Sequence, residues 1–295
     1  MGSSSRQEKL AKLYDADIVP IFSSKFGKLL LRLLEVPEKG MLLDVGCGTG
    51  YPALEILKKT DVAIRIIAID KSSAMMDVAR KKAGDKGGKK IFFRTENASE
   101  GLSFADEVYD VTYSNLAFME LGNPVENMRE LARVTAPGGQ VAITLPMRGS
   151  YTEFFDIFRD VLTKRDRYEI VKDIEEYEST ALPTPEQVIE LFNKAGIKNV
   201  TYEAERFELL FKSAREFFFA PVIEYGPLKE WKAIIKDANE MKDLFVDIKD
   251  AIDTMFMGLV FPVTINAGCF VGIKPTEEEV EVLDEDDLEI VMDEE

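Results

Sequence analysis

Leu42-Leu43-Asp44-Val45-Gly46-Cys47-Gly48-Thr49-Gly50 constrains the fold of this chain more than any other stretch. A short apolar run holding one acid gives way to glycine at every second position, and a helical pattern (Ala53, Leu54, Ile56, Leu57) begins at once. An apolar run bounded by turn signals reads as a buried parallel strand. Glycines at its end let the backbone turn sharply and come close to a ligand, because no Cβ stands in the way. The following helix points its unpaired N–H groups and positive dipole end at the same place. The pattern predicts a strand–glycine loop–helix unit that holds a nucleotide-like cofactor.

The spacing narrows the kind. A dinucleotide fingerprint needs glycines at the first, third and sixth positions, and counting from Gly46 the sixth is Tyr51. A phosphate-binding loop needs Gly-Lys-Ser/Thr, which does not follow. Asp44-x-Gly46-x-Gly48-x-Gly50 instead resembles the first motif of class I methyltransferases that use S-adenosylmethionine; a plain glycine turn is the bland reading.

Ala63-Ile64-Arg65-Ile66-Ile67-Ala68-Ile69-Asp70 reads as a second apolar strand ending in an acid, 20 positions after Gly50. That interval suits one βαβ unit and sets the carboxylate beside the loop, where it could accept both ribose hydroxyls. Capping of the next helix (Ser72, Ser73, Ala74, Met75, Met76) is the rival role for Asp70. A basic, glycine-rich link (Lys81 to Lys90) leads to strand Ile91–Arg94 and then Thr95-Glu96-Asn97-Ala98. The family commonly has Asp-Ala there, touching adenine; here Asn97 stands in for the acid, and its amide oxygen can still accept from an amine. Asp110–Leu116 reads as the fourth strand and 123–135 as a helix. Arg133-Val134-x-x-Pro137-Gly138-Gly139 then turns into strand Gln140–Leu145, a second likeness in the expected order. The resemblance is strong over residues 40–146. It continues weakly through Leu182–Ala195 and the strand near Val200–Phe211.

The resemblance implies an α/β fold: a Rossmann-like seven-stranded sheet with helices on both faces, its last strand antiparallel (Phe261 to Ile273), plus helical lid insertions. Expected segments are N-terminal helices over 1–36 covering the cofactor site, broken near Pro20, a methyltransferase domain over 37–274, and an acidic tail over 275–295. The insertions fall at about 151–179 and 213–258. They carry Phe154, Phe155, Phe158, Phe217, Phe218, Tyr225, Trp231, Met241, Phe245, Met255 and Met257. These residues either line a lid over a bulky apolar acceptor or simply pack the helices together. The implied cofactor contacts are Asp44, Gly46, Cys47, Gly48, Thr49, Gly50, Asp70, Lys71, Met75, Asn97, Ala98 and Asn115. Cys47 suits a tight loop as a small residue rather than as a nucleophile.

A methyl sulfonium is already activated, so in-line transfer asks mainly for orientation and a dry cavity, with a base only if the acceptor loses a proton. The chain contains no histidine, which excludes a histidine base, a Ser-His-Asp triad and a histidine-ligated metal centre. Glu120, Tyr14 and Tyr225 remain as candidate bases, although Glu120 reads equally as an exposed loop acid and Tyr14 as a packing aromatic. The expected activity is methyl transfer to an apolar small-molecule acceptor, resembling enzymes that act on quinone or fatty-acyl compounds.

Composition limits the partners. The net charge is −17, but residues 275–295 hold 12 of the 54 acids and none of the 37 bases. Neither portion attracts phosphate backbones, so nucleic acid is not an expected substrate. Two cysteines make no disulfide framework, the start lacks the apolar core of a signal peptide, and no apolar run reaches membrane-span length. A cytoplasmic setting is expected. The tail alternates acids with Val280, Val282, Leu283, Leu288, Ile290 and Val291. It reads either as a solvated end or as a peptide that docks a protein partner. The second option leaves open a regulatory scaffold, or a methyltransferase of protein side chains.

Overall fold

The computed structural model describes residues 3–59, 63–276 and 278–279. The expectations placed on residues 277 and 280–295 lie outside the described residues.

Seven strands form one sheet in the order β3-β2-β1-β4-β5-β7-β6. They are β1 (Lys39–Val45), β2 (Ala63–Asp70), β3 (Ile91–Thr95), β4 (Tyr109–Asn115), β5 (Thr135–Pro146), β6 (Lys198–Phe211) and β7 (Phe261–Ile273). β1 to β5 pair in parallel, and β7 runs antiparallel to both β5 and β6. This is the Rossmann-like α/β sheet with an antiparallel last strand. Neighbouring positions on β1 serve opposite faces, as strand geometry requires. Leu42 joins a core with α2 (Ser24–Leu33), α3 (Ala53–Lys59) and α4 (Ser73–Ala83). Leu43 and Val45 join a second core with α5 (Pro124–Val134) and with α8 (Pro185–Lys194). On α2, Phe26, Leu29 and Leu30 are wholly buried, each contributing about 1.5–3 kcal/mol by leaving water.

The N-terminal segment differs from two helices broken at proline. α1 (Ser3–Leu13) runs into a wide helical segment, Tyr14–Ser23, that contains Pro20, and then into α2. Proline lacks an N–H and its ring crowds the carbonyl four residues back. Widening the coil accommodates it without ending the helix, and the Ser24 N–H reaches the Val19 carbonyl five residues back.

The Pro137-Gly138-Gly139 turn also differs from expectation. β5 already begins at Thr135, and the segment bulges between the pairs Tyr109–Thr135 and Val111–Gln140. The chain leaving β7 holds the bulge: Gly138 N–H donates to the Lys274 carbonyl at 2.7 Å, and Lys274 N–H to that of Gly139 at 2.9 Å.

Two helical insertions follow. α6 (Thr152–Lys164) and α7 (Tyr168–Ala181) come after β5. The helices α9 (Ala214–Phe219), α10 (Pro221–Glu224), α11 (Leu228–Ala233) and α12 (Ala238–Met255) join β6 to β7. Phe154, Phe155, Phe158, Phe217 and Trp231 are fully buried, and the Phe154 and Trp231 rings stack with centroids 4.2 Å apart. These aromatics pack on one another and bind the insertions to the sheet. Tyr225, Met255 and Met257 are exposed. Among the described residues no helix is long and apolar enough to cross a membrane.

Candidate active site

The glycine loop leaves the carboxyl end of β1 and turns under the end of β2, with the N–H groups of Gly46 and Cys47 both donating to the Ile69 carbonyl at 2.9 Å. Gly46, Gly48 and Gly50 all have positive φ, at 76°, 52° and 90°. At Gly46 glycine is required twice over, since a Cβ there would also overlap that of Ala117.

Asp70 ends β2 and faces the loop. Its Oδ2 accepts from the Gly48 N–H at 3.0 Å and its Oδ1 from the Ser72 N–H at 2.8 Å. The capping of α4 itself falls to Ser72, whose Oγ accepts from the Met75 N–H at 3.3 Å. Each Asp70 oxygen keeps a second lone pair, so backbone anchoring leaves acceptor capacity toward the cleft.

That cleft is small, about 50 Å³, and is lined by Gly46, Asp70, Lys71, Asn97, Ala98 and Glu120 together with Ile69, Glu96, Ala117 and Leu121. Six of the residues singled out from sequence therefore share one crevice at the carboxyl ends of the strands. Cys47, Gly48, Thr49 and Gly50 form the adjoining loop; Met75 lies half-buried on the first turn of α4. Asn115 does not reach the crevice lining: it is buried at the end of β4, where its Oδ1 accepts from the Thr144 hydroxyl at 2.8 Å. Asn97 spends its amide locally, accepting from the Ser99 N–H at 3.4 Å and donating to Glu100 at 2.7 Å.

Asp44 lies beneath the loop, wholly buried, and neither carboxylate oxygen has a hydrogen-bond partner among the described residues. Desolvation pushes its pKa well above the usual carboxylate range, with the Asp70 charge adding to the rise and Tyr113 and the Ala53 N–H opposing it. Tyr113 is the neighbouring polar group, but its hydroxyl is also without a bond of normal geometry. The Cys47 thiol is pushed up by burial and by both acids, so it stays protonated and is no nucleophile.

The N-terminal segment covers this loop. Tyr14 lies in van der Waals range of Gly48, with a ring carbon 3.5 Å from where a Cβ would stand. Its hydroxyl pairs with Ser23 Oγ at 3.0 Å, and burial raises its pKa. Asp15 accepts from Thr49 Oγ1 at 2.6 Å and also from Lys82 on α4. This tie was not read from the sequence, because 34 and 67 residues separate Asp15 from its partners. Glu96 was missed as well, although it immediately precedes Asn97. Glu120 sits at the rim of the crevice. Desolvation and the charges of Glu230 and Asp70 raise its pKa while Lys71 lowers it; the side chain is exposed, and water screening limits that shift.

The loop cradle and an orphaned buried carboxylate below it fit a cofactor that is cationic and adenosyl-bearing. A family model described as "Methyltransferase domain" matches residues 43–143. The demethylmenaquinone methyltransferase of Halalkalibacterium halodurans is 28% identical over 207 residues, covering 65% of this chain and 83% of that relative. Residues 43–143 thus carry a methyltransferase domain, and the chain is similar to class I S-adenosylmethionine-dependent methyltransferases. The ubiquinone/menaquinone biosynthesis C-methyltransferase of Bdellovibrio bacteriovorus is 28% identical over 183 residues, covering 57% of this methyltransferase and 74% of the relative. The solved Haemonchus contortus phosphoethanolamine N-methyltransferase 2, in complex with S-adenosyl-L-methionine, shares the fold. It matches at TM-score 0.52 and 18% identity, over 86% of this chain and 53% of that one. The enzyme is thus a transferase that uses S-adenosylmethionine.

Proposed function

We propose that this methyltransferase transfers its methyl group to an apolar small molecule of the quinone type. The observation that carries the reading is the similarity, over about two thirds of the chain, to enzymes named for demethylmenaquinone.

When bound, S-adenosylmethionine supplies a methyl group already activated on a sulfonium. The chain's own residues do the rest. The Gly46–Gly50 backbone allows close approach, and Asp70, anchored by Gly48 and Ser72, accepts from the ribose hydroxyls. Asp44, buried beneath the loop, would offer an acceptor to the cationic end of the cofactor, whose charge would favour its ionised form. Asn97 and Ala98 would border the adenine, and Lys71 and Met75 the ribose. Tyr14 closes the loop from above and excludes water. A quinol carbon or oxygen loses one proton for each methyl group it gains. Glu120, on the crevice rim with a raised pKa, is the group placed to take that proton.

The test incubates the full chain with S-adenosylmethionine and each of three acceptors: a demethylated prenyl naphthoquinol, a fatty-acyl carboxylate and phosphoethanolamine. S-adenosylhomocysteine formation is followed in each. Turnover is expected with the quinol alone. Turnover confined to the acyl or amine acceptor would overturn the assignment.

A further inference from the structure

Away from the cofactor crevice, the opposite ends of two of its supporting helices build a second concave site. α3 ends at Lys58 and Lys59, and α4 runs out through Gly84 into the glycine-rich turn before β3. Between them is a groove of about 430 Å³ lined by Leu57, Lys58, Lys59, Asp85, Lys86, Lys89 and Lys90. Among the described residues, five lysines thus face one acid. Lys58 is paired with Glu55 at 2.7 Å, and Lys86 Nζ donates to the Leu57 carbonyl at 2.6 Å. Lys59, Lys89 and Lys90 have no ion-pair partner among the described residues. Like charges held together around an apolar floor repel one another unless an anion joins them.

The same chain carries a matching polyanion. Residues 280–295 contain nine acids and no base, interleaved with Val280, Val282, Leu283, Leu288, Ile290, Val291 and Met292. The segment sets out from the correct end of the sheet. Thr276 lies against Gly138, at the start of β5, and the groove opens at the start of β3. Four strand spacings separate β5 from β3, about 19 Å at ~4.8 Å each. Glu278 and Glu279 form a helical turn held to Thr276; the five to eight residues from Glu279 to Asp284–Asp287 would span roughly 16–26 Å if extended, of the order of that gap. The crevice at the other end is the wrong partner, because Asp70, Glu96 and Glu120 line it against Lys71 alone.

We propose that residues 280–295 dock in this lysine groove of their own chain, acids on the lysines and apolar side chains toward Leu57. The docked segment clamps the far ends of α3 and α4, whose near ends carry the glycine loop and Ser72, and leaves the cofactor crevice open. This makes the tail an internal brace rather than a recruiter of other proteins, and it does not depend on which acceptor the enzyme methylates.

Carbodiimide cross-linking of the full chain, with the monomer digested and mapped by mass spectrometry, tests the proposal. Lys58, Lys59, Lys86, Lys89 and Lys90 should link to acids of 281–295, and 1 M NaCl should cut those links at least fivefold as the Debye length falls to about 3 Å. In the double variant Lys58→Glu/Lys59→Glu, checked for folding by circular dichroism, links from Lys89 and Lys90 to the tail should fall at least fivefold. Cleavage of the tail by glutamyl endopeptidase at low salt should speed up to the rate of the wild type in 1 M NaCl. Tail links spread evenly over lysines elsewhere would overturn the proposal. So would links confined to cross-linked dimers, or tail cleavage indifferent to both salt and the lysine substitutions.

Discussion

The Asp70 carboxylate accepts the Gly48 backbone N–H at 3.0 Å, which ties the end of β2 to the loop that follows β1. With its other oxygen on the Ser72 N–H, the side chain is oriented before any ligand arrives. A preorganised acceptor loses little conformational entropy on binding, so its hydrogen bonds to a ribose keep most of their value. Several consequences are measurable.

Gly46 should tolerate no side chain. Gly46→Ala places a Cβ onto that of Ala117 at a φ of 76°, and overpacking together with left-handed strain should cost about 2–4 kcal/mol. Denaturant unfolding should show this loss, and adding Ala117→Gly should restore the steric part but not the conformational part.

Asp44 should exchange stability for binding. Its pKa is raised in the folded protein, so between the ordinary carboxylate value near 4 and the raised one the native state holds more protons than the unfolded chain. Stability therefore falls as pH rises through that window. Asp44→Asn should unfold at a higher temperature than the wild type at pH 8, by the equivalent of about 1–3 kcal/mol for an unpartnered buried charge. The gap should close near pH 4. The same variant should bind S-adenosylmethionine more weakly, because the buried charge below the cation is gone.

Glu120 should act on turnover rather than on cofactor affinity. Glu120→Gln should lower kcat about 100-fold while calorimetry shows unchanged cofactor binding. The wild-type kcat should rise with pH through a value above the usual glutamate range, since the carboxyl must be ionised to accept a proton and its pKa is raised; the variant's profile should lack that limb.

The Asp15 tie should slow cofactor exchange. The Tyr14–Ser23 segment lies against Gly48 of the loop beside the crevice, so its release should ease entry of an adenosyl group. Asp15→Ala removes the hold on Thr49 and Lys82. Stopped-flow fluorescence should then show cofactor association and dissociation both faster, by about tenfold, with the dissociation constant nearly unchanged.

The glycine loop, the strands on either side of it and the place of Asp70 were legible because each depends on local chemistry. An apolar run makes a buried strand, glycine makes the turn, and one βαβ interval fixes where the acid lands. What sequence did not disclose depends on distant packing. Nothing local marks Asp15 as the partner of Thr49 and Lys82, or Ala117 as the neighbour that forbids a Cβ at Gly46. Asn115 was grouped with the cofactor contacts, yet β4–β5 pairing brings the Thr144 hydroxyl to its amide. Pro20 reads as a helix breaker, but burial of Ile18 and Phe22 against α2 keeps the coil going in a widened form. The aromatic insertions were open to two readings, and ring contacts among Phe154, Phe217 and Trp231, two of them stacked, account for those buried members as packing.

Calorimetric titration of the full chain with S-adenosylmethionine, wild type beside Asp70→Ala, tests the site most directly. The wild type should bind one equivalent, and the variant should lose at least 30-fold in affinity, about 2 kcal/mol, as expected for hydrogen bonds to a charged acceptor. A variant that binds as tightly as the wild type would contradict the placement of the adenosyl group between Asp70 and the glycine loop.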